Sequence, residues 1–203
     1  MNESIIRSIE ESIAVSELLK SEAGKIATAI EIIIESIKSH GKLILFGNGG
    51  SAADAQHIAA EFTGKYLLER SPLPAIALTV NTSAITAIGN DYGFDHVFQR
   101  QINALCNSTD VSVAISTSGN SRNVILGAEA ARIKGARTVA LTGRSGGSLA
   151  RLADVAIKVP SESTPRVQES HLLIGHIISE IVEKMFAHEF SREDRKQVMQ
   201  RAR

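Results

Sequence analysis

Tryptophan is absent from the 203-residue chain and aromatic residues make up only 4% of it, which argues against a site built by stacking bases or sugar rings on aromatic platforms. Cys106 is the sole cysteine. That excludes an intrachain disulfide and a thiolate metal cluster, and it fits a reducing compartment, the cytoplasm by default. Neither charge is in excess: 22 Lys and Arg balance 22 Asp and Glu, so no large net field favours nucleic acid or an anionic membrane as partner. No apolar run approaches the roughly 20 residues needed to span a bilayer, and the N-terminus alternates charges with isoleucines where a signal peptide would have an apolar core. Also missing is any linker long enough to separate a pair of cores, so residues 1–203 read as one domain. Within it, 1–40 are expected to be helical, 41–188 to form an α/β core, and 189–203 to be a charged, solvated tail.

What is present is alternation. Short apolar runs near 42–46, 75–78, 111–115, 137–142 and 155–159 read as buried strands, separated mostly by helical patterns. The expected architecture is a three-layer α/β/α sandwich around a five-stranded parallel sheet, flavodoxin-like, preceded by a helical pair. Ile26, Ile30, Ile33 and Ile37 mark one apolar stripe in that pair, and Ile6, Ile9 and Ile13 another. Such helices have no place inside a sheet; they cover a face of the domain or meet a second subunit.

Two strand-to-helix turns are rich in glycine and hydroxyls. Gly47-Asn48-Gly49-Gly50-Ser51 follows the first strand and opens a helix expected to reach about Leu67. Ser116-Thr117-Ser118-Gly119-Asn120-Ser121 follows the third strand and opens a helix running to about Lys134, closed by Gly135. Glycine lets backbone approach a ligand, and the unpaired N–H groups of each helix face a bound anion, so the pair suggests a phosphorylated ligand. Neither turn carries the Gly-Lys-Ser/Thr of a nucleotide-hydrolysing loop. Gly47, Gly49 and Ala52 fit a dinucleotide fingerprint, but the next strand, 75–81, ends without the acidic residue that would hold a ribose hydroxyl.

The first of these helices has two faces. Asp54, His57 and Glu61 share one by spacings of three and four; Ala55, Ile58, Ala59 and Phe62 form the other. In the last helix, expected over about 166–188, Gln168 and His176 lie on one side, with His171 around the helix from His176. Two histidines, a glutamate and a glutamine also suit a metal site, since imidazole and carboxylate both bind zinc.

Taken together, Gly47 through His57, Glu61, Gly89-Asn90-Asp91-Tyr92-Gly93-Phe94, Ser116 through Ser121, and Gln168-Glu169 with His176 resemble the sugar isomerase (SIS) domain family, over nearly the whole chain. Within that family they resemble the isomerases of sedoheptulose 7-phosphate. The resemblance implies a homotetramer with active sites shared between subunits, acting in the route to ADP-heptose for bacterial surface glycans. Ser116, Thr117, Ser118 and Ser121 would bind the phosphate, while Asn48, Gly49, Gly50, Ser51, Asn90, Asp91 and Gln168 would contact the sugar. Glu61 and His176 would be the acid/base pair. His57, Glu61, Gln168 and His176 would surround one Zn2+ per subunit. Lys65 stands where many relatives carry arginine.

Ketose-to-aldose conversion needs a base to take a proton from the carbon beside a carbonyl and an acid to serve the oxygens, the roles expected of Glu61 and His176. The two are expected to meet across protomers. Two other readings remain: a non-catalytic SIS-domain regulator that binds the bacterial replication initiator, and an isomerase of another phosphosugar.

Overall fold

The structure is a computed structural model that describes residues 1–187. The tail expected at 189–203, and the end of the last helix at His188, lie outside the described residues. Helix α1 (Asn2–Leu19) passes through a tight turn at Lys20–Glu22 into α2 (Ala23–Lys38). Then come β1 (Leu43–Gly47), α3 (Gly50–Thr63), β2 (Ala75–Ala77), α4 (Thr82–Tyr92), α5 (Val97–Leu105), β3 (Val111–Ser116), α6 (Arg122–Ile133), β4 (Arg137–Thr142), the short α7 (Leu149–Leu152), β5 (Val155–Lys158) and α8 (Thr164–Ala187). All five strands pair in parallel, in the order β2-β1-β3-β4-β5.

Alternation along the strands sorts their side chains into two cores, because successive residues point to opposite faces. Leu43, Leu45, Val113, Ile115, Leu141 and Ile157 pack with α2, α3 and α8 on one side. Ile44, Phe46, Ala114 and Ala140 pack with α5 and α6 on the other. Both faces are thus covered, which is why β1 and β3 read as unbroken apolar runs.

The two N-terminal stripes have different fates. Ile26, Ile30, Ile33 and Ile37 are at most 9% exposed and join the first core, each burial stabilising by roughly 1.5–3 kcal/mol. Ile6, Ile9 and Ile13 on α1 remain 53–57% exposed. One helix of the pair therefore belongs to the sandwich and the other presents an apolar face outward.

His171 on α8 is fully enclosed, and burial pushes its imidazole down to about 4. The Thr142 backbone offsets some of this without closing a hydrogen bond, since neither ring nitrogen has a partner. The folded state thus keeps His171 neutral while the unfolded chain protonates it near 6.5. The contribution of His171 to stability is complete above pH 6.5 and is lost as pH drops from there through about 4, by roughly 3 kcal/mol in all. Asp54, whose carboxyl burial raises to about 6, adds stability over much of the same range, so the test is the difference between the two proteins: the denaturant midpoint of His171→Leu relative to the unaltered protein should rise as pH drops from 7 to 4, and a constant difference would refute the account.

Candidate active site

The strand order reverses direction between β1 and β3, and in such sheets the crevice at the carboxyl ends of the two strands receives ligands. The register Gly47↔Ile115 brings both glycine- and hydroxyl-rich turns to that crevice. Gly49, with φ +56°, turns the chain into α3, and neither α3 nor α6 has a side-chain cap at its N-terminus, so both helix ends offer backbone N–H groups to an anion.

The second turn is braced from behind. Ser116 Oγ donates to Ser121 Oγ at 3.1 Å, and the Asn120 N–H donates to Ser118 Oγ at 3.1 Å. The Leu149 N–H donates to the Gly119 carbonyl and the Ser148 N–H to Asn120 Oδ1. The two turns are joined by Asn48 and Asn123, whose side-chain amides exchange hydrogen bonds of 2.8 and 2.9 Å. Sequence patterning does not single out Asn123; its only signal is an amide in the first turn of a helix otherwise apolar on that side.

Helix α3 divides as its spacing predicts: Ala55, Ile58, Ala59 and Phe62 are buried, while His57 and Glu61 lie on the opposite side. Their partner arrives from α8. Gly175 permits close approach of the two helices, since a β-carbon there would come within 2.5 Å of Ile58 Cδ1. One turn of packing places His57 Nε2 at 2.9 Å from His176 Nε2 and at 3.3 Å from Glu61 Oε1. His57, Glu61 and His176 each offer a donor atom, all within 4.8 Å of one another, a group able to hold a metal ion. The three converge within one chain, which corrects the expectation that the carboxylate and the imidazole meet across protomers: helix packing through Gly175 does what a second subunit was expected to do.

The other expected residues are more scattered. Gln168 lies over the first turn, its Nε2 2.4 Å from where a Gly50 β-carbon would stand, so a larger residue there would push the Gln168 amide aside. Ser51 is buried against Gly47 and presents its backbone at the start of α3. Thr117 is half-buried and Ser118 exposed. Asn90 and Asp91 end α4, exposed and bonded to each other at 2.8 Å; among the described residues no hydrogen bond ties them to either turn. Lys65 pairs with Glu69 on an exposed stretch and makes no planar contact of the kind arginine would. Asp54 is half-buried one turn before His57; burial raises its carboxyl to about 6, the nearby His57 pulling the other way.

One wall of the site has no signature in the sequence. The Tyr66 ring lies against His176, centroids 5.5 Å apart and planes inclined by 32°. The loop that carries it is held by Arg70 and Glu183, an enclosed ion pair at 3.3 Å.

A parallel α/β sandwich with two anion-facing turns at its switch point and a histidine-carboxylate cluster beside them defines a class of phosphosugar-handling domain. Residues 9–143 match the SIS domain family, and the chain belongs to it. Among its relatives are proteins named phosphoheptose isomerase. The protein of that name from Rhodospirillum rubrum is 53% identical over 161 residues, 79% of this chain and 86% of that one. Its counterpart from Aquifex aeolicus is 54% identical over 163 residues, 80% of this chain and 85% of that one. The solved structure of phosphoheptose isomerase from Neisseria gonorrhoeae aligns with a TM-score of 0.86 at 44% identity, covering 90% of this chain and 98% of that one. The chain is an enzyme of the isomerase class.

Proposed function

We propose that the protein interconverts D-sedoheptulose 7-phosphate and D-glycero-D-manno-heptose 7-phosphate in the cytoplasm, as the first step toward ADP-heptose. The convergence of His57, Glu61 and His176 beside the two turns carries this reading, in a chain 53% and 54% identical, over 79% and 80% of its length, to two phosphoheptose isomerases. The turn from Ser116 to Ser121 and the N-terminus of α6 bind the phosphate through backbone N–H groups, hydroxyls and the helix dipole. Asn48, Gly49, Gly50, Asn90 and Asp91 contact the sugar, with Gln168 closing over Gly50. Glu61 takes a proton from C1 of the open-chain ketose. His176 gives a proton to the oxygen on C2 and accepts one from the oxygen on C1, and Glu61 returns its proton to C2. The enediol becomes the aldose without net gain or loss of protons.

The donor set also fits a zinc ion: two imidazole nitrogens and a carboxylate oxygen face one another on rigid helices, and zinc takes such ligands at roughly 2.0–2.2 Å. His57, Glu61, His176 and Gln168 would hold one per subunit; when bound it polarises the carbonyl and offsets enediolate charge. A ligating carboxylate is a poorer base, so the two roles of Glu61 belong to different states of the site.

Incubating the protein with sedoheptulose 7-phosphate, with and without a chelator, and following the aldose by NMR tests both the reaction and the metal. Conversion is expected, and its loss on chelation. No conversion overturns the isomerase in favour of a binding role, whereas conversion indifferent to chelator overturns the zinc alone.

We further propose assembly as a homotetramer, supported by the outward apolar face of α1. Ile9→Glu with Ile13→Glu should dissociate it, read by sedimentation velocity. An unchanged sedimentation coefficient would assign that face no role in assembly.

A further inference from the structure

Between α3 and β2 the chain has no regular structure, yet two enclosed charges grip it. Glu183 on α8 accepts the backbone N–H groups of Tyr66, Leu67 and Leu68 at 2.8, 2.6 and 2.9 Å. Arg70 donates to the carbonyls of Glu61, Phe62, Gly64 and Ser71 at 2.7 to 3.2 Å. Both side chains are 1% exposed. Burial alone would raise the Glu183 carboxyl, but the three N–H groups and Arg70 outweigh it and bring it below its ordinary range. Enclosing such a pair gives little net stability, because desolvating two ions offsets their attraction. What the pair does fix is position.

Arg70 reaches the carbonyl of Glu61 itself, in the last full turn of α3. Glu183 stands two turns beyond His176 on the same face of α8, so the loop is referenced to the helix that bears the imidazole. Its product is the Tyr66 ring, laid against the His176 ring.

We propose that Arg70, Glu183 and Tyr66 are positioning residues for the acid/base pair: the ion pair sets the end of α3 and the loop, and the Tyr66 ring sets the plane of the His176 imidazole. The inference rests on the isomerase reading for its effect on turnover. It acts through other residues, so no contact with substrate is required of any of the three.

The test uses Tyr66→Ala and Tyr66→Phe in the full chain, with kcat and KM for sedoheptulose 7-phosphate and the His176 imidazole resonances at one fixed pH. Tyr66→Ala should lower kcat by about 30-fold with KM changed by no more than about twofold, since small misplacement of a reacting group costs rate rather than binding. It should also shift the His176 resonances, and Tyr66→Phe, which keeps the ring, should restore both. Glu183→Gln should show the same split between kcat and KM; if it fails to fold, the Tyr66 pair decides alone. Unchanged kcat in Tyr66→Ala, with or without moved resonances, overturns the proposal, as does a Tyr66→Phe as impaired as Tyr66→Ala. The resonances are read without substrate. A wild-type protein that ignores the sugar therefore overturns the functional reading and leaves the positioning claim to be judged by His176.

Discussion

Glu61→Gln is expected to lower kcat by about 10³-fold while leaving KM for sedoheptulose 7-phosphate within a few-fold of wild type. The amide has the shape of the carboxylate and can keep its contact with His57, 3.3 Å away, but it cannot take a proton from carbon. Folding should be spared, because the Glu61 side chain lies at the open side of α3, 18% exposed, and its core-facing neighbours are untouched. Exchange of the C1 hydrogen in heavy water isolates the step. The wild-type protein should wash label into recovered ketose; the variant should not. Full turnover by Glu61→Gln would refute the assignment of the base.

Gly119→Ala should be the most damaging single-methyl change in the turn from Ser116 to Ser121, which we propose binds the phosphate. Gly119 has φ +64°, where a side chain is strained, and its β-carbon would fall 2.1 Å from the Gly146 carbonyl oxygen and 2.6 Å from its carbon. These are backbone atoms that cannot rotate aside. The turn must lift off the segment 143–149 that supports it, breaking the bond from the Leu149 N–H to the Gly119 carbonyl. A loss of roughly 3 kcal/mol is expected from strain plus displacement, with KM raised about tenfold because the phosphate loses aligned donors. Gly49→Ala is the control: its φ is +56° but nothing stands within 4 Å of the added carbon, so only backbone strain of roughly 1–3 kcal/mol applies. Denaturant titration of both variants checks the ranking, and equal losses of stability would argue against the packing account; initial rates of Gly119→Ala check its KM.

Much of this fold was readable because the sheet is covered on both faces. β1 and β3 announce themselves as continuous apolar runs, and the glycine-bearing turns after them fall where the sheet order reverses. The two faces of α3 follow from spacing alone. Its end did not: the helix stops at Thr63 rather than near Leu67, because Arg70 takes the carbonyls of its last turn and Glu183, 117 residues beyond Tyr66, takes the N–H groups that further helix would have used. Nothing local to 64–71 encodes a partner that far away. A glutamate on the buried face of the last helix was the available hint. The meeting of His57 and Glu61 with His176 inside one chain was equally hidden, since it depends on Gly175, one small residue in an apolar helix whose packing partner only the fold reveals.

That contact at Gly175 has a thermal corollary. Catalysts whose working groups sit on separate loops can go dead by fraying long before they melt. Here the imidazoles and the carboxylate ride on two helices locked at the sandwich core, so no partial loosening short of losing that core separates them. On heating, contact between the two imidazoles should persist until helical circular dichroism is lost.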